Sequence, residues 1–368
     1  MSEYKPFIQK LDFTNNILDS KFDLIKSGYE NQPLLSLGFH NYLFGARQKM
    51  DIDEFKKRVY YLIVNQFESE IPEYSKDLNS NIPKKLEFNK TENVISRDFY
   101  KLWELITYFD LVSDSDFKSL SIGENGGFLQ CIINYRNKYY KSKSDIYLYK
   151  GFNETKSIKS MKETKFEKID GPLEKFITDS ELSNVENIEK FIKDNKLSNI
   201  NLVTNNGSLE FIKDSNTEHQ LYKLILGTII LALSVTNKNG NLVIRLDDCF
   251  TNVSAKYLNI LYNCYKNIFI VKPLFSRSFY NEKYLVCSNF NLPDKKKSEL
   301  IKKLKNLLNM MNDLNDAYVF DIATEFKLDR SDIGKLAAIN STYIANEHLN
   351  INKVHDYKNK KNYFGEQY

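Results

Sequence analysis

The sequence predicts an α/β protein built on an open, doubly wound sheet, with extensions at both ends. Three observations carry this. Between residues 117 and 290, short apolar runs alternate with stretches of helical periodicity, the pattern of parallel strands joined by crossover helices. The turn Gly123–Gly127 separates the first apolar run from the helix after it, a placement that suits a small-molecule or nucleotide ligand. The stretch Gly240–Phe290 reads as strand, helix, strand, strand. That is a right-handed βαβ unit followed by a hairpin, which predicts an antiparallel strand at the sheet edge.

Taken in order, residues 1–92 read as a mostly helical N-terminal extension. Within it, Phe55, Val59, Leu62, Ile63 and Phe67 predict a helix over Asp51–Ile71, and Pro72 and Pro83 bracket a polar loop. Ser96–Asp110 is an aromatic-rich helix. Phe117–Ile122 and Asp145–Tyr149 are strands around a helix over Phe128–Tyr140. Residues 150–185 are polar, rich in Lys and Glu, and read as an insertion or long loop. A helix over Asn187–Asp194 and a strand over Asn199–Thr204 follow. Thr217–Thr236 is a long helix, apolar enough to lie against the sheet; Lys223 interrupts it and its apolar run is too short to span a bilayer. Asn241–Leu246, Val253–Tyr265, Asn267–Pro273 and Glu282–Phe290 complete the core. Residues 293–352 read as C-terminal helices, beginning with an amphipathic one over Lys295–Met311 whose basic face is Lys295–Lys305, and residues 353–368 as a basic, disordered tail.

Composition narrows the function classes. The 42% apolar content supports a substantial core, and a net charge of +4 argues neither for nor against a nucleic-acid partner. Cys131, Cys249, Cys264 and Cys287 show no C-x-x-C spacing and the four histidines are scattered, so no metal site and a reducing compartment are expected. The polar start MSEYKPFIQKLDF carries no secretory signal, and no membrane association is expected. Arg245 and Glu282 fall at strand ends, where open α/β sheets place ligand crevices.

Six motifs then occur in a fixed order: S-R-x-F-Y-K-L-W-E at Ser96–Glu104, S-I-G-E-N-G-G-F at Ser121–Phe128, L-V-T-N-N-G at Leu202–Gly207, E-H-Q at Glu218–Gln220, G-N-L-V-I-R at Gly240–Arg245, and K-P-x-x-S-R-x-x-x-N-E-K-Y-L-V-C at Lys272–Cys287. In that order they resemble the FtsJ-like (RrmJ-like) family of S-adenosylmethionine-dependent RNA 2′-O-methyltransferases, above all its cap-specific branch in large DNA viruses and eukaryotes. The resemblance implies a Rossmann-like methyltransferase domain over residues 93–292, with seven strands and an antiparallel last strand. It implies S-adenosylmethionine at Gly123, Glu124, Asn125, Gly126, Gly127 and Phe128. It implies RNA as substrate, capped mRNA in particular, with Arg97, Ser276 and Arg277 as contacts. A protein partner is expected through the N-terminal region, and a cytoplasmic location, in a viral factory or virion if the source is viral.

The family's Lys-Asp-Lys-Glu tetrad falls on Lys101, Asn206, Arg245 and Glu282. Two of the four positions depart from the pattern. Asn125 stands where proline is usual, and Leu120 where an acidic residue is common. A ribose hydroxyl needs alignment and help with its proton. Guanidinium has no free acceptor, so Arg245 can stabilise developing negative charge but not take a proton. Asn206 removes a carboxylate that would have faced a lysine. Lys101, with Glu282 as its partner, or solvent is left to take the proton. Two functions follow: a 2′-O-methyltransferase with an altered site, or a catalytically inactive relative serving as an RNA-binding or partner-binding subunit.

Overall fold

A computed structural model of the chain describes residues 7–50, 94, 96–113, 115–140, 144–151, 166–168, 182–207, 218–314 and 317–358. In chain order the elements begin with β1 (Phe7–Lys10), β2 (Ile25–Ser27), α1 (His40–Gln48), α2 (Asp98–Phe109), β3 (Lys118–Glu124), α3 (Gly127–Tyr139), β4 (Ile146–Gly151), β5 (Phe166–Lys168) and α4 (Val185–Asp194). They continue with β6 (Ile200–Asn205), α5 (Glu218–Val235), β7 (Thr236–Leu246), α6 (Asn252–Tyr262), β8 (Tyr265–Lys272), β9 (Lys283–Phe290), α7 (Asp294–Asn312), β10 (Tyr318–Asp321) and α8 (Arg330–Lys358).

Eight strands form one sheet in the order β1-β8-β9-β7-β6-β3-β4-β5. Strands β7, β6, β3, β4 and β5 run parallel, and β9 is antiparallel to both β7 and β8. The hairpin is therefore not the sheet edge, as its sequence position predicted. Strand β9 turns back between β7 and β8, leaving β8 further out. Burial explains this placement: all of β9 but one residue is buried, as for a strand covered on both faces, whereas β8 keeps an exposed and several half-buried positions.

Side-chain alternation along the strands divides the core in two. Leu120, Val203, Leu242, Ile244 and Leu285 face the side covered by α4, α5, α6 and α7. Leu202, Val243, Tyr284 and Val286 face α2 and α3. Helix α5 is apolar around nearly its whole circumference and is buried accordingly. Helices α4 and α6 start on side-chain caps: Asn184 accepts from Glu186 and Asn187 N–H, and Thr251 from Ser254 N–H.

The N-terminal stretch differs from the expected helical extension. Strand β1 pairs with β8 and adds an eighth strand beyond the seven implied by the family, and β2 pairs with β10. Four- and three-residue strands are too short to show a period in sequence. Leu43 and Phe44 of α1, with Met50 just after it, pack against Ile344, Ile351 and Val354 of α8. That contact also explains why α8 continues to Lys358, past the expected start of a disordered tail: Val354 is buried. The expected helix over Asp51–Ile71 lies outside the described residues, as does most of 150–185. Among the described residues no helix is long and apolar enough to cross a membrane.

Candidate active site

The C-terminal ends of β3, β6 and β7 meet the start of β9 on one rim of the sheet, and α2 lies across the same rim. Register selects the side chains. Asn205 pairs with Ile244 and Arg245 with Tyr284, which brings Asn206, just past β6, level with Arg245 on β7 and Tyr284 on β9. Glu282 directly precedes β9. Lys101 comes from α2, which buries Phe99, Tyr100, Leu102, Trp103, Leu105 and Ile106. Trp103 stacks on Phe99 at 5.6 Å and meets Tyr135 edge-on at 5.0 Å, so its ring is part of the core.

All four tetrad positions join one cluster around Glu282. Lys101 Nζ donates to Glu282 Oε1 at 2.7 Å, across 181 positions of sequence, and to Asp98 Oδ1 at 2.7 Å. Arg245 Nη1 lies 3.9 Å from the same Glu282 oxygen, and its Nε donates to Asp247 Oδ1 at 3.2 Å. The Tyr284 hydroxyl lies 2.8 Å from Asn206 Oδ1 and 3.0 Å from Glu282 Oε1. A phenol has one proton to give. When it goes to the carboxylate, the Asn206 amide can reverse and donate to the phenol oxygen, which an ionised aspartate could not do.

Electrostatics sort the roles. Burial alone would raise the Glu282 carboxyl; the charges of Lys101 and Arg245 outweigh it and hold the group well below the usual carboxylate range. Glu282 is thus an acceptor that organises its cations. Burial opposes the Arg245 charge, but Asp247 and Glu282 keep the guanidinium protonated above its ordinary range. Lys101 spends two of its three N–H bonds on carboxylates, leaving one for a ligand.

Glycines set the course of the turn after β3. Gly123 sits at φ +70°, and a Cβ there would lie 2.6 Å from Gly207 N, so no other residue fits without moving the end of β6. Gly126 is left-handed (φ 94°) at the N-cap of α3, whose first backbone N–H groups point out of the helix end. Gly127 serves packing, since a Cβ would run into Ser96 Oγ and meet Phe99 N at 3.1 Å, at the start of α2. Phe128 is buried, with its ring 5.9 Å from that of Tyr284, and Asn125 is exposed. Glu124 ends β3. Leu120 is fully buried on the opposite face of the sheet and belongs to the core. The left-handed Gly126 and the N-terminal N–H groups of α3 behind it are the part of this turn that suits a polar group of a cofactor.

Arg97, Ser276 and Arg277 lie beside this rim. Arg97 is buried and Nη2 donates to the Phe275 carbonyl at 2.7 Å, bracing the loop that carries the other two. Ser276 is buried, and Arg277 lies over the Tyr280 ring at 5.5 Å. Part of the lysine-rich face of α7 is engaged in packing: Lys303 donates to the Leu18 and Ser20 carbonyls, and Lys305 pairs with Glu189.

Several neighbours escaped the sequence reading. Asp98 stands three residues before Lys101, a spacing that shares a helix face. Asp247 follows Arg245 by two, and Tyr284 follows Glu282 by two. Glu104 accepts from Leu274 N–H at 3.1 and 3.0 Å, and burial raises its carboxyl to about 7. Lys272 donates to the Tyr280 carbonyl at 2.6 Å and the Glu282 carbonyl at 3.0 Å; burial, with Lys283 nearby, lowers it to about 7. Helical and alternate-residue spacing could have marked the first three. Glu104 and Lys272 act on backbone groups, which sequence does not display.

Comparison with known proteins agrees with the motif order. The model of the FtsJ-like methyltransferases matches residues 94–290, more than half of the chain. A cap-specific mRNA (nucleoside-2′-O-)-methyltransferase 1 from Dictyostelium discoideum is 35% identical over 78 residues, 21% of this chain and 10% of that protein. Its namesake from Mus musculus is 30% identical over 94 residues, 25% of this chain and 11% of that protein. The match thus covers about a tenth of the length of these relatives. Among solved structures, a ribosomal RNA methyltransferase from Plasmodium falciparum aligns with 53% of this chain and 98% of its own, at 19% identity and a TM-score of 0.39.

Proposed function

The chain belongs to the FtsJ-like methyltransferase family, and from that premise we propose that it methylates a ribose 2′-hydroxyl of RNA, capped mRNA in particular, with S-adenosylmethionine as methyl donor. The observation that carries the reading is the Lys101–Glu282 contact at 2.7 Å, with Arg245 and Asn206 in the same cluster. It places two cationic donors and a shared carboxylate next to the glycine turn. The names of the curated relatives support the cap.

When bound, S-adenosylmethionine supplies an electrophilic methyl group. Gly123, Gly126 and the N-terminus of α3 would hold it. The free N–H of Lys101 and the outer face of Arg245 orient the ribose oxygen and stabilise the negative charge that grows as its O–H bond weakens. Glu282 keeps both cations aimed, and Tyr284 fixes Glu282 against Asn206. Arg245 takes no proton, and Glu282 is too weak a base to hold one. The hydroxyl proton therefore leaves to water as the ribose oxygen takes the methyl group, the electron pair of the broken C–S bond staying with the cofactor's sulfur.

The test is transfer to short capped and uncapped RNAs, read as 2′-O-methylnucleosides after digestion. Ribose methylation favouring capped RNA is expected, and it should disappear in Lys101→Met. Cofactor and RNA binding without turnover would instead favour a binding subunit, the reading that Asn206 and Arg245 admit.

A further inference from the structure

We propose that Asp98 is a positioning residue for the transfer, supplying Lys101 with a second carboxylate beside Glu282. This rests on the 2′-O-methyltransferase reading above. Lys101 and Arg245 bring two positive charges to a site whose tetrad positions hold one carboxylate, Glu282. A single carboxylate shared between two cations leaves each free to swing, because one contact fixes a distance but not a direction.

The structure gives each cation a second partner from its own stretch of chain. Arg245 has Asp247 at 3.2 Å. Lys101 has Asp98 at 2.7 Å, one helical turn before it. Asp98 is the first residue of α2, where the helix dipole favours a negative charge, so the carboxylate is stable there with or without substrate. The Lys101 side chain is 5% exposed and the Asp98 side chain 15%. The contact is thus largely shielded from the water that weakens surface pairs. Two carboxylates on a tetrahedral ammonium leave its third N–H a fixed direction. With Asp98 alone the side chain would rest along α2; with Glu282 alone it could rotate about that contact. Together they aim it. Asn206 is then a consistent part of a rearranged site and not a lesion. A carboxylate at position 206 would crowd Glu282, since both side chains lie within 3.0 Å of one phenol oxygen.

The test compares wild type, Asp98→Asn, Asp98→Glu, Asn206→Asp and the Asp98→Asn/Asn206→Asp double variant. Asp98→Asn is expected to lower kcat roughly ten- to a hundredfold with KM for RNA little changed, as for a misaimed group. Asp98→Glu should recover part of the loss. Asn206→Asp should lower activity, both alone and in the Asp98→Asn background, by crowding Glu282. A second readout needs no turnover: the ¹⁵N-labelled Lys101 ammonium, assigned by its loss in Lys101→Met, should be protected from exchange in wild type and lost in Asp98→Asn. If wild type binds cofactor but transfers nothing, the enzyme reading fails, and this signal alone judges whether Asp98 holds Lys101. Unchanged kcat in Asp98→Asn, or an ammonium signal indifferent to Asp98, overturns the proposal. So does a gain from Asn206→Asp in the wild-type background.

Discussion

At Arg245 the guanidinium reaches two carboxylates, Asp247 at 3.2 Å and Glu282 at 3.9 Å. Its contribution is charge in a fixed direction. Arg245→Met should reduce methyl transfer by roughly 10²–10³-fold, the scale of one lost oxyanion donor, while Arg245→Lys, which keeps the charge, should lose less; single-turnover rates on capped RNA decide. Glu104 offers a pH test. Its folded carboxyl, at about 7 through burial, lies above an unfolded value of about 4.3. The folded state therefore keeps this proton when the unfolded chain has lost it, so its contribution is full at low pH and is lost as pH rises through about 7. Urea unfolding should show wild type losing stability relative to Glu104→Gln between about pH 4 and about pH 8. At this scale Lys101 and Glu282 were legible because motif order marks positions. Asp98 and Asp247 were marked by spacing alone, and an acid near a base in sequence is usually a solvated pair; the fold shows Asp247 buried and Asp98 half-buried on the two cations that share Glu282.

Elements place those residues, and their tolerances are narrow where backbones meet. Gly123 combines a positive φ with a would-be Cβ 2.6 Å from Gly207 N. Gly123→Ala should cost about 1–3 kcal/mol in strain, visible as a lower Tm, and should weaken cofactor binding because the end of β6 must shift. The same scale shows what sequence could and could not say. Core strands and helices were legible through their apolar periods, and the glycine turn through its spacing. The inward position of β9 was misread because chain order suggests a terminal hairpin, although the unbroken apolar run from Tyr284 to Cys287 already indicated a strand covered on both faces. Strands β1 and β2 were not legible, since four and three residues hold at most two repeats of the two-residue strand pattern.

Across the whole molecule, segments outside the family-matched region are tied to the site. Arg47 of α1 is buried, with Nη1 2.7 Å from Asp248 Oδ2 and Nε 2.7 Å from Glu347 Oε1 of α8. Asp248 is next to Asp247, the partner of Arg245. Burial opposes the Arg47 charge, and the two carboxylates hold it protonated. Removing one member strands the others, so Glu347→Gln should destabilise the fold by about 3–5 kcal/mol in chemical denaturation. These ties join residues 201 and 300 positions apart, a separation no local pattern reveals. The central claim is that this rearranged cluster still moves a methyl group onto ribose. Mass spectrometry of digested capped RNA, after incubation with the protein and S-adenosylmethionine, tests it most directly. A 2′-O-methylnucleoside is expected in the wild-type reaction and should vanish with Lys101→Met. Folded wild-type protein that leaves every ribose unmethylated would contradict it.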